Sequence, residues 1–115
     1  PTTMHNTHTP SNQDFLWGVA TSGYQSEGGY NGTGEPQNNW SLWEQQGKVM
    51  QTGTASEFWH RYEEDFQTCQ KLGLNAFRLG IEWARIQPST NINPAPAPAF
   101  DIAALDNYAA IIAAC

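Results

Sequence analysis

Two apolar runs, FLWGVA at residues 15–20 and AFRLGIEW at 76–83, bracket a segment patterned as a helix, and this order constrains the fold more than any other feature. The first run is nearly continuous rather than alternating, which suits a parallel strand covered on both faces. Between the runs, Trp59, Tyr62, Phe66, Cys69 and Leu72 recur at steps of three and four, one stripe of a helix. Thr54-Ala-Ser-Glu57 fits a capping box at its start, and Gly73 supplies a left-handed stop at its end. After the second run and a Pro-rich NPAPAPA, Asp101 is a good N-cap, with Phe100 and Leu105 able to staple across it. Leu105, Tyr108, Ile112 and Cys115 then form the apolar stripe of a second helix. The order strand, loop, helix, strand, loop, helix predicts an α/β fold with a parallel sheet or barrel.

Residues 21–54 break this regularity. They contain seven glycines and one proline, and a connection of that length is uncommon unless it is functional or disordered. Tyr30, Trp40, Leu42, Trp43, Val49 and Met50 give it apolar anchors, so an ordered loop is expected, with a helical turn near residues 41–46.

Two parallel strands leave two bare edges, and a closed eight-stranded barrel takes roughly 250 residues. The 115 residues therefore read as the opening part of a larger domain, with residues 1–13 a tail and 14–115 the incomplete domain. The formal charge of −6 and the absence of any basic run argue against nucleic acid. No apolar stretch approaches the ~18 residues of a membrane span, and no secretory pattern opens the chain, which favours the cytoplasm over export. His5 and His8 have no companion ligands, so no metal or other cofactor is expected. Cys69 and Cys115 read as reduced, buried thiols.

Three residues could carry chemistry. In the second strand Ala76, Arg78, Gly80 and Glu82 share the face opposite Phe77, Leu79, Ile81 and Trp83. Arg78 is then either a structural partner of Glu82 or of a later residue, or an arginine holding a catalytic carboxylate ionised. Glu82 could be a catalytic acid, but Arg85 lies close enough to pair with it. Gln25 follows the first strand, and its amide could meet two neighbouring sugar hydroxyls or bond the loop backbone. Five tryptophans add a hint of sugar-facing surfaces.

Several segments together resemble glycoside hydrolase family 1, the β-glucosidase and β-galactosidase group. FLWGVATSGYQSEGG at 15–29 is similar to its N-terminal signature F-x-W/F-G-x-A-T-S/A-A-x-Q-x-E-G. NWSLWEQ at 39–45 resembles its S-I-W-D segment, ASEFWHRYEEDF at 55–66 its A-x-D-x-Y-H-R-Y-x-E-D, and FRLGIEWARIQP at 77–88 its Y-R-F-S-I-S-W-x-R-I-x-P. FDIAALDNYAAII at 100–112 resembles its second helix. The likeness runs from about Phe15 to near the end. Its departures are Gly23 for the usual alanine, Glu57 for aspartate, and Gly80 and Glu82 for two serines.

The resemblance implies the start of a (β/α)8 TIM barrel with about two βα units, and a retaining β-glycosidase. It implies that Gln25 hydrogen-bonds the sugar in the innermost subsite and that Arg78 contacts the nucleophilic carboxylate, while His60, Arg61, Tyr62, Glu64 and Asp65 fall in a structural helix motif. Both catalytic glutamates would lie in N-E-P and E-N-G motifs, and neither motif occurs in these residues. The expected partners are a carbohydrate substrate and the remainder of the barrel, with no nucleic acid and no membrane, and the chain alone is expected to be inactive. The rival reading is a non-catalytic carbohydrate-binding or interaction module made from a truncated barrel. A nucleotide-binding domain is disfavoured, because GYQSEGG lacks the G-x-G-x-x-G spacing.

Overall fold

The computed structural model describes residues 15–30, 35–88 and 96–115. The proposed tail, with His5 and His8, lies outside the described residues, as does part of the Pro-rich stretch. Two parallel strands, β1 (Gly18–Ala20) and β2 (Ala76–Arg78), pair in the register Gly18↔Ala76 to Ala20↔Arg78. Asn75 sets that register. Its side-chain carbonyl accepts from the Trp17 N–H at 2.7 Å and its amide donates to the Phe15 carbonyl at 3.0 Å. Gly18 permits the close approach, since a Cβ there would sit 2.4 Å from the Ala76 carbonyl oxygen.

Both strands are shorter than the apolar runs suggest. β2 stops at Arg78 because Glu82 caps the next element, its carboxylate accepting from the Ala84 N–H at 3.2 Å at the start of a short helix over Trp83–Ile86. Gly80 and Glu82 therefore lie in the short irregular link between strand and helix, and the strand alternation assigned to residues 76–83 holds only to 78. All three β1 residues are exposed, so the expected burial of both faces is not met among the described residues.

The 21–54 connection is ordered in its described parts. A π-helical turn, Gly23–Glu27, follows β1, and a helix α1 spans Asn39–Gln45. Asn38 and Ser41 form a reciprocal capping box at its start. The box expected at Thr54 does not form. Thr54 is used in a turn, its carbonyl accepting from the Glu57 N–H at 3.0 Å, and Ser56 donates to the Ser26 carbonyl at 2.9 Å. Glu57, at φ 56°, becomes the N-cap of α2 (Phe58–Lys71) with no side-chain capping bond. Docking this turn on the π-helical turn outweighs the local cap. Gly73, at φ 73°, ends the helix as expected.

After β2 come α3 (Trp83–Ile86) and α4 (Ile102–Ala114). Asp101 caps α4 as read, accepting from the Ala104 N–H at 3.0 Å. The buried face is Ala104, Tyr108 and Ile111, whereas Leu105, Ile112 and Cys115 are exposed. Apolar residues surround this helix, so periodicity could not choose the face. The Tyr108 hydroxyl chooses it, by bonding inward to Glu27 and to the Glu82 N–H.

The core joins α2, α3 and α4: Phe58, Phe66, Ile86, Tyr108 and Ile111 are buried, with Trp59, Tyr62, Phe77 and Leu79 packed on them. Phe77 from β2 stacks on Phe58 and meets Phe66 edge-on, with centroids 5.6 and 4.9 Å apart. Leu72, read into the α2 stripe, is exposed, and Phe58 replaces it as the core residue. Both cysteines are free, but neither is fully buried as expected: Cys69 is half-buried and Cys115 exposed. No helix among the described residues is long and apolar enough to cross a membrane.

Candidate functional site

The π-helical turn leaves β1 at the carboxyl end of the sheet, beside the end of β2, where the Thr21 N–H donates to the Arg78 carbonyl at 3.0 Å. Glu27, its last residue, is buried, and three donors converge on its carboxylate. Arg85 Nε lies 2.6 Å from Oε2, the Tyr30 hydroxyl 2.5 Å from Oε2 and the Tyr108 hydroxyl 2.7 Å from Oε1. Arg85 also donates to the Gly28 carbonyl, and its guanidinium lies over the rings of Trp59 and Tyr30 at 4.1 and 4.5 Å. Burial, reinforced by the Glu27 carboxylate, pushes the hydroxyls of Tyr30 and Tyr108 well above the usual phenol range. A charge pair taken from water is tolerable when its remaining hydrogen-bonding capacity is filled in this way.

Arg85 thus pairs with Glu27, and not with Glu82, the pairing that its closeness in sequence allowed. Glu82 caps α3 and accepts from the Asn38 amide at 3.1 Å, which gives it a structural duty at the site considered for a catalytic acid. The Glu27–Arg85 pair spans 58 positions. Both residues stand inside the quoted motifs, but no local spacing could have linked them.

A second buried carboxylate lies beneath the same loop. Glu44 Oε1 accepts from the Tyr24 hydroxyl and from the Thr52 N–H and hydroxyl at 2.6 and 2.7 Å. Burial alone would raise the Glu44 carboxyl, but these bonds outweigh it and hold the group below the usual carboxylate range. Tyr24 is raised by its own burial and by Glu44. The sequence reading missed Glu44, whose only local signal was its place in NWSLWEQ.

Beside Tyr24 and Thr52, the partners of Glu44, opens a cavity of about 500 Å³, lined in part by Ser22, Gln25, Asn39, Trp40, Met50 and Glu82. That volume lies within the range of small-molecule sites. Gln25 is exposed on its wall. The Ser22 hydroxyl donates to Gln25 Oε1 at 2.9 Å, and this contact orients the amide. Arg78 is exposed at the end of β2, and among the described residues its guanidinium meets no carboxylate. Gln25 and Arg78 therefore share the carboxyl end of the sheet, but Arg78 is not part of the wall of this cavity. The described residues contain no cluster of potential metal ligands.

Comparison with known proteins gives one consistent likeness. The sequence profile described as Glycosyl hydrolase family 1 matches residues 7–113. β-Glucosidase 5 of Oryza sativa subsp. japonica is 38% identical over 87 residues, covering 71% of this chain and 17% of that protein. 6-Phospho-β-galactosidase 1 of Streptococcus pneumoniae is 41% identical over 76 residues, covering 66% and 16%. The crystal structure of the psychrophilic β-glucosidase BglU from Micrococcus antarcticus superposes with a TM-score of 0.71 at 27% identity, over 89% of this chain and 21% of that one. The chain spans less than a fifth of the length of these curated relatives. Its two strands and their helices are a part of the barrel such enzymes share.

Proposed function

Since this chain belongs to glycosyl hydrolase family 1, we propose that it is the N-terminal portion of a retaining β-glycosidase acting on the O-glycosidic bonds of β-glucoside- or β-galactoside-type sugars. The observation that carries the reading is the position of Gln25. Its amide stands exposed on the wall of a cavity at the carboxyl end of parallel strands, the end where barrel enzymes do their chemistry. In this reading its amide N–H groups donate to sugar hydroxyls while Ser22 holds its carbonyl. Arg78, exposed at the end of β2, lends its positive charge to the nucleophilic carboxylate and keeps that group ionised.

The two catalytic carboxyls come from the N-E-P and E-N-G segments, which these 115 residues do not contain. One protonates the leaving oxygen. The other, roughly 5–5.5 Å away, attacks the anomeric carbon to give a glycosyl-enzyme that water then opens. The present residues bind and orient, and have no general acid of their own.

A chimera tests this division. The chain is joined to the remainder of the Micrococcus antarcticus enzyme in place of the matching segment, and is expected to hydrolyse 4-nitrophenyl β-glucoside. Gln25→Ala then removes two hydrogen bonds of about 1 kcal/mol each, a loss of roughly thirtyfold in kcat/KM. Full activity in both Gln25→Ala and Arg78→Met would remove the assigned roles. An inactive chimera, beside a lone chain that still binds sugar, would favour the non-catalytic module.

A further inference from the structure

The two free cysteines stand far apart in the sequence, yet both line one small cavity of about 240 Å³. Each continues a helix stripe that turns inward. Cys69 follows Tyr62 and Phe66 along α2, and Cys115 follows Ala104, Tyr108 and Ile111 along α4. The two helices run side by side in the same direction. Near the start of α2, the Asn107 amide donates to the Trp59 carbonyl at 3.2 Å, and the Tyr108 ring meets the Trp59 ring edge-on at 5.0 Å. Further on, Phe66 and Ile111 enter one core. Counting the same seven residues on from Trp59 and from Tyr108 brings Phe66 level with Cys115. Cys69 lies one turn beyond. Helical side chains lean back toward the N-terminus, so its thiol returns to the level of Cys115.

Facing Cα atoms of packed helices approach to roughly 4–6 Å, inside the span of up to about 7 Å that a disulfide bridges. The remaining walls include Phe66, Leu74, Ala76 and Phe77, which suit an uncharged sulfur–sulfur bond. We propose that Cys69 and Cys115 are a redox-active dithiol, and that a low-molecular-weight disulfide of the oxidised-glutathione type converts them to an intramolecular bond tying α4 to α2. Exposure sets the order of events. Cys115 is exposed and Cys69 half-buried, so the Cys115 thiolate attacks first, forming a mixed disulfide and expelling one small thiolate. The Cys69 thiolate then attacks the Cys115 sulfur and expels the second. Two protein thiols are oxidised, one small disulfide is reduced to two thiols, and the two cysteine protons end on those thiols.

The test incubates the reduced chain, dilute, in mixtures of oxidised and reduced glutathione, with and without concentrated urea. Acid quenching and mass spectrometry under non-reducing conditions then read the products. In native buffer the product is expected to be two hydrogens lighter and to retain no glutathione. The equilibrium constant for closing the bond should be about a hundredfold larger in native buffer than in urea, because the fold already holds the thiols together. By the thermodynamic cycle, the same ratio must reappear as the extra resistance of the oxidised chain to urea. Cys69→Ser should stop at glutathione retained on Cys115, and Cys115→Ser should react slowly. Cys115 is exposed, so its replacement leaves the fold intact and guards against a Cys69 variant that merely unfolds.

Closure no more favourable in native buffer than in urea overturns the proposal, as does a parent chain that keeps its glutathione or links mainly to a second copy. Fast reaction of Cys115→Ser beside a slow Cys69→Ser overturns the assigned order of attack. A native closing advantage matched by the gain in urea resistance upholds the dithiol.

Discussion

Gly23, Gly80 and Glu82, three of the positions where the chain departs from the family pattern, meet in space. A Cβ on Gly23 would lie 2.8 Å from the Glu82 Cβ and 3.2 Å from its Oε2, and one on Gly80 would lie 3.1 Å from the Thr21 carbonyl oxygen. The bulkier Glu82 thus sits against a loop stripped of side chains. Gly23→Ala should lower stability by about 1–3 kcal/mol, the usual cost of overpacking. Adding Glu82→Ser should recover part of it, because the carboxylate no longer pins the segment to Asn38 and Ala84. A double-mutant cycle in urea reads that coupling, and strict additivity would refute it. Glu44 supplies a second expectation. Its folded carboxyl titrates below the ordinary range of about 4.3, so the unfolded chain takes the proton first. Its contribution is complete above that ordinary range and is lost as pH falls through the lower folded value. Urea midpoints at pH 6 and pH 3 should differ less in Glu44→Gln than in the parent chain. Such residues show how far the sequence could be read. Gln25 stood out because an amide after an apolar run is unusual chemistry. Glu27 and Glu44 did not, since a carboxylate in a loop looks solvated until a distant tyrosine or arginine is folded over it.

At the scale of elements, caps were legible and faces were not. Asp101 and Gly73 act locally and do what their residue types dictate, so Asp101→Ala should cost about 1 kcal/mol, seen as a lower Tm. The inward face of α4 depends on where Tyr108 finds its partners, and the length of β2 on Glu82 turning to cap α3; neither is decided within the element. The Glu27–Arg85 pair joins the π-helical turn to α3, and Tyr108 adds α4. Arg85→Ala leaves a buried carboxylate without its cation and should destabilise the chain by about 3–5 kcal/mol. Tyr108→Phe keeps the ring against Trp59 and removes only the hydroxyl, at about 1–3 kcal/mol. Urea unfolding followed by tryptophan fluorescence ranks the two, and a reversed order would show that the Tyr108 hydroxyl, not the ion pair, holds the turn.

For the whole molecule, the order of elements and the parallel pairing were readable because apolar runs and helix stripes alternate along the chain. What covers the sheet was not, and Trp17, Val19, Ile81 and Trp83 are all at least 44% exposed. Patches of this kind bind other apolar surfaces. Without the remainder of a barrel, the chain should self-associate as its concentration rises, and sedimentation showing a monomer at every concentration would contradict this. The Tyr108–Glu27 bond, which closes over 81 positions, has a consequence during synthesis. At about 5–20 residues per second, a ribosome needs roughly 4–16 s to add the tyrosine after the glutamate. Through that interval the nascent turn waits without one of its three clasps, so chaperones and proteases meet it before its last helix arrives.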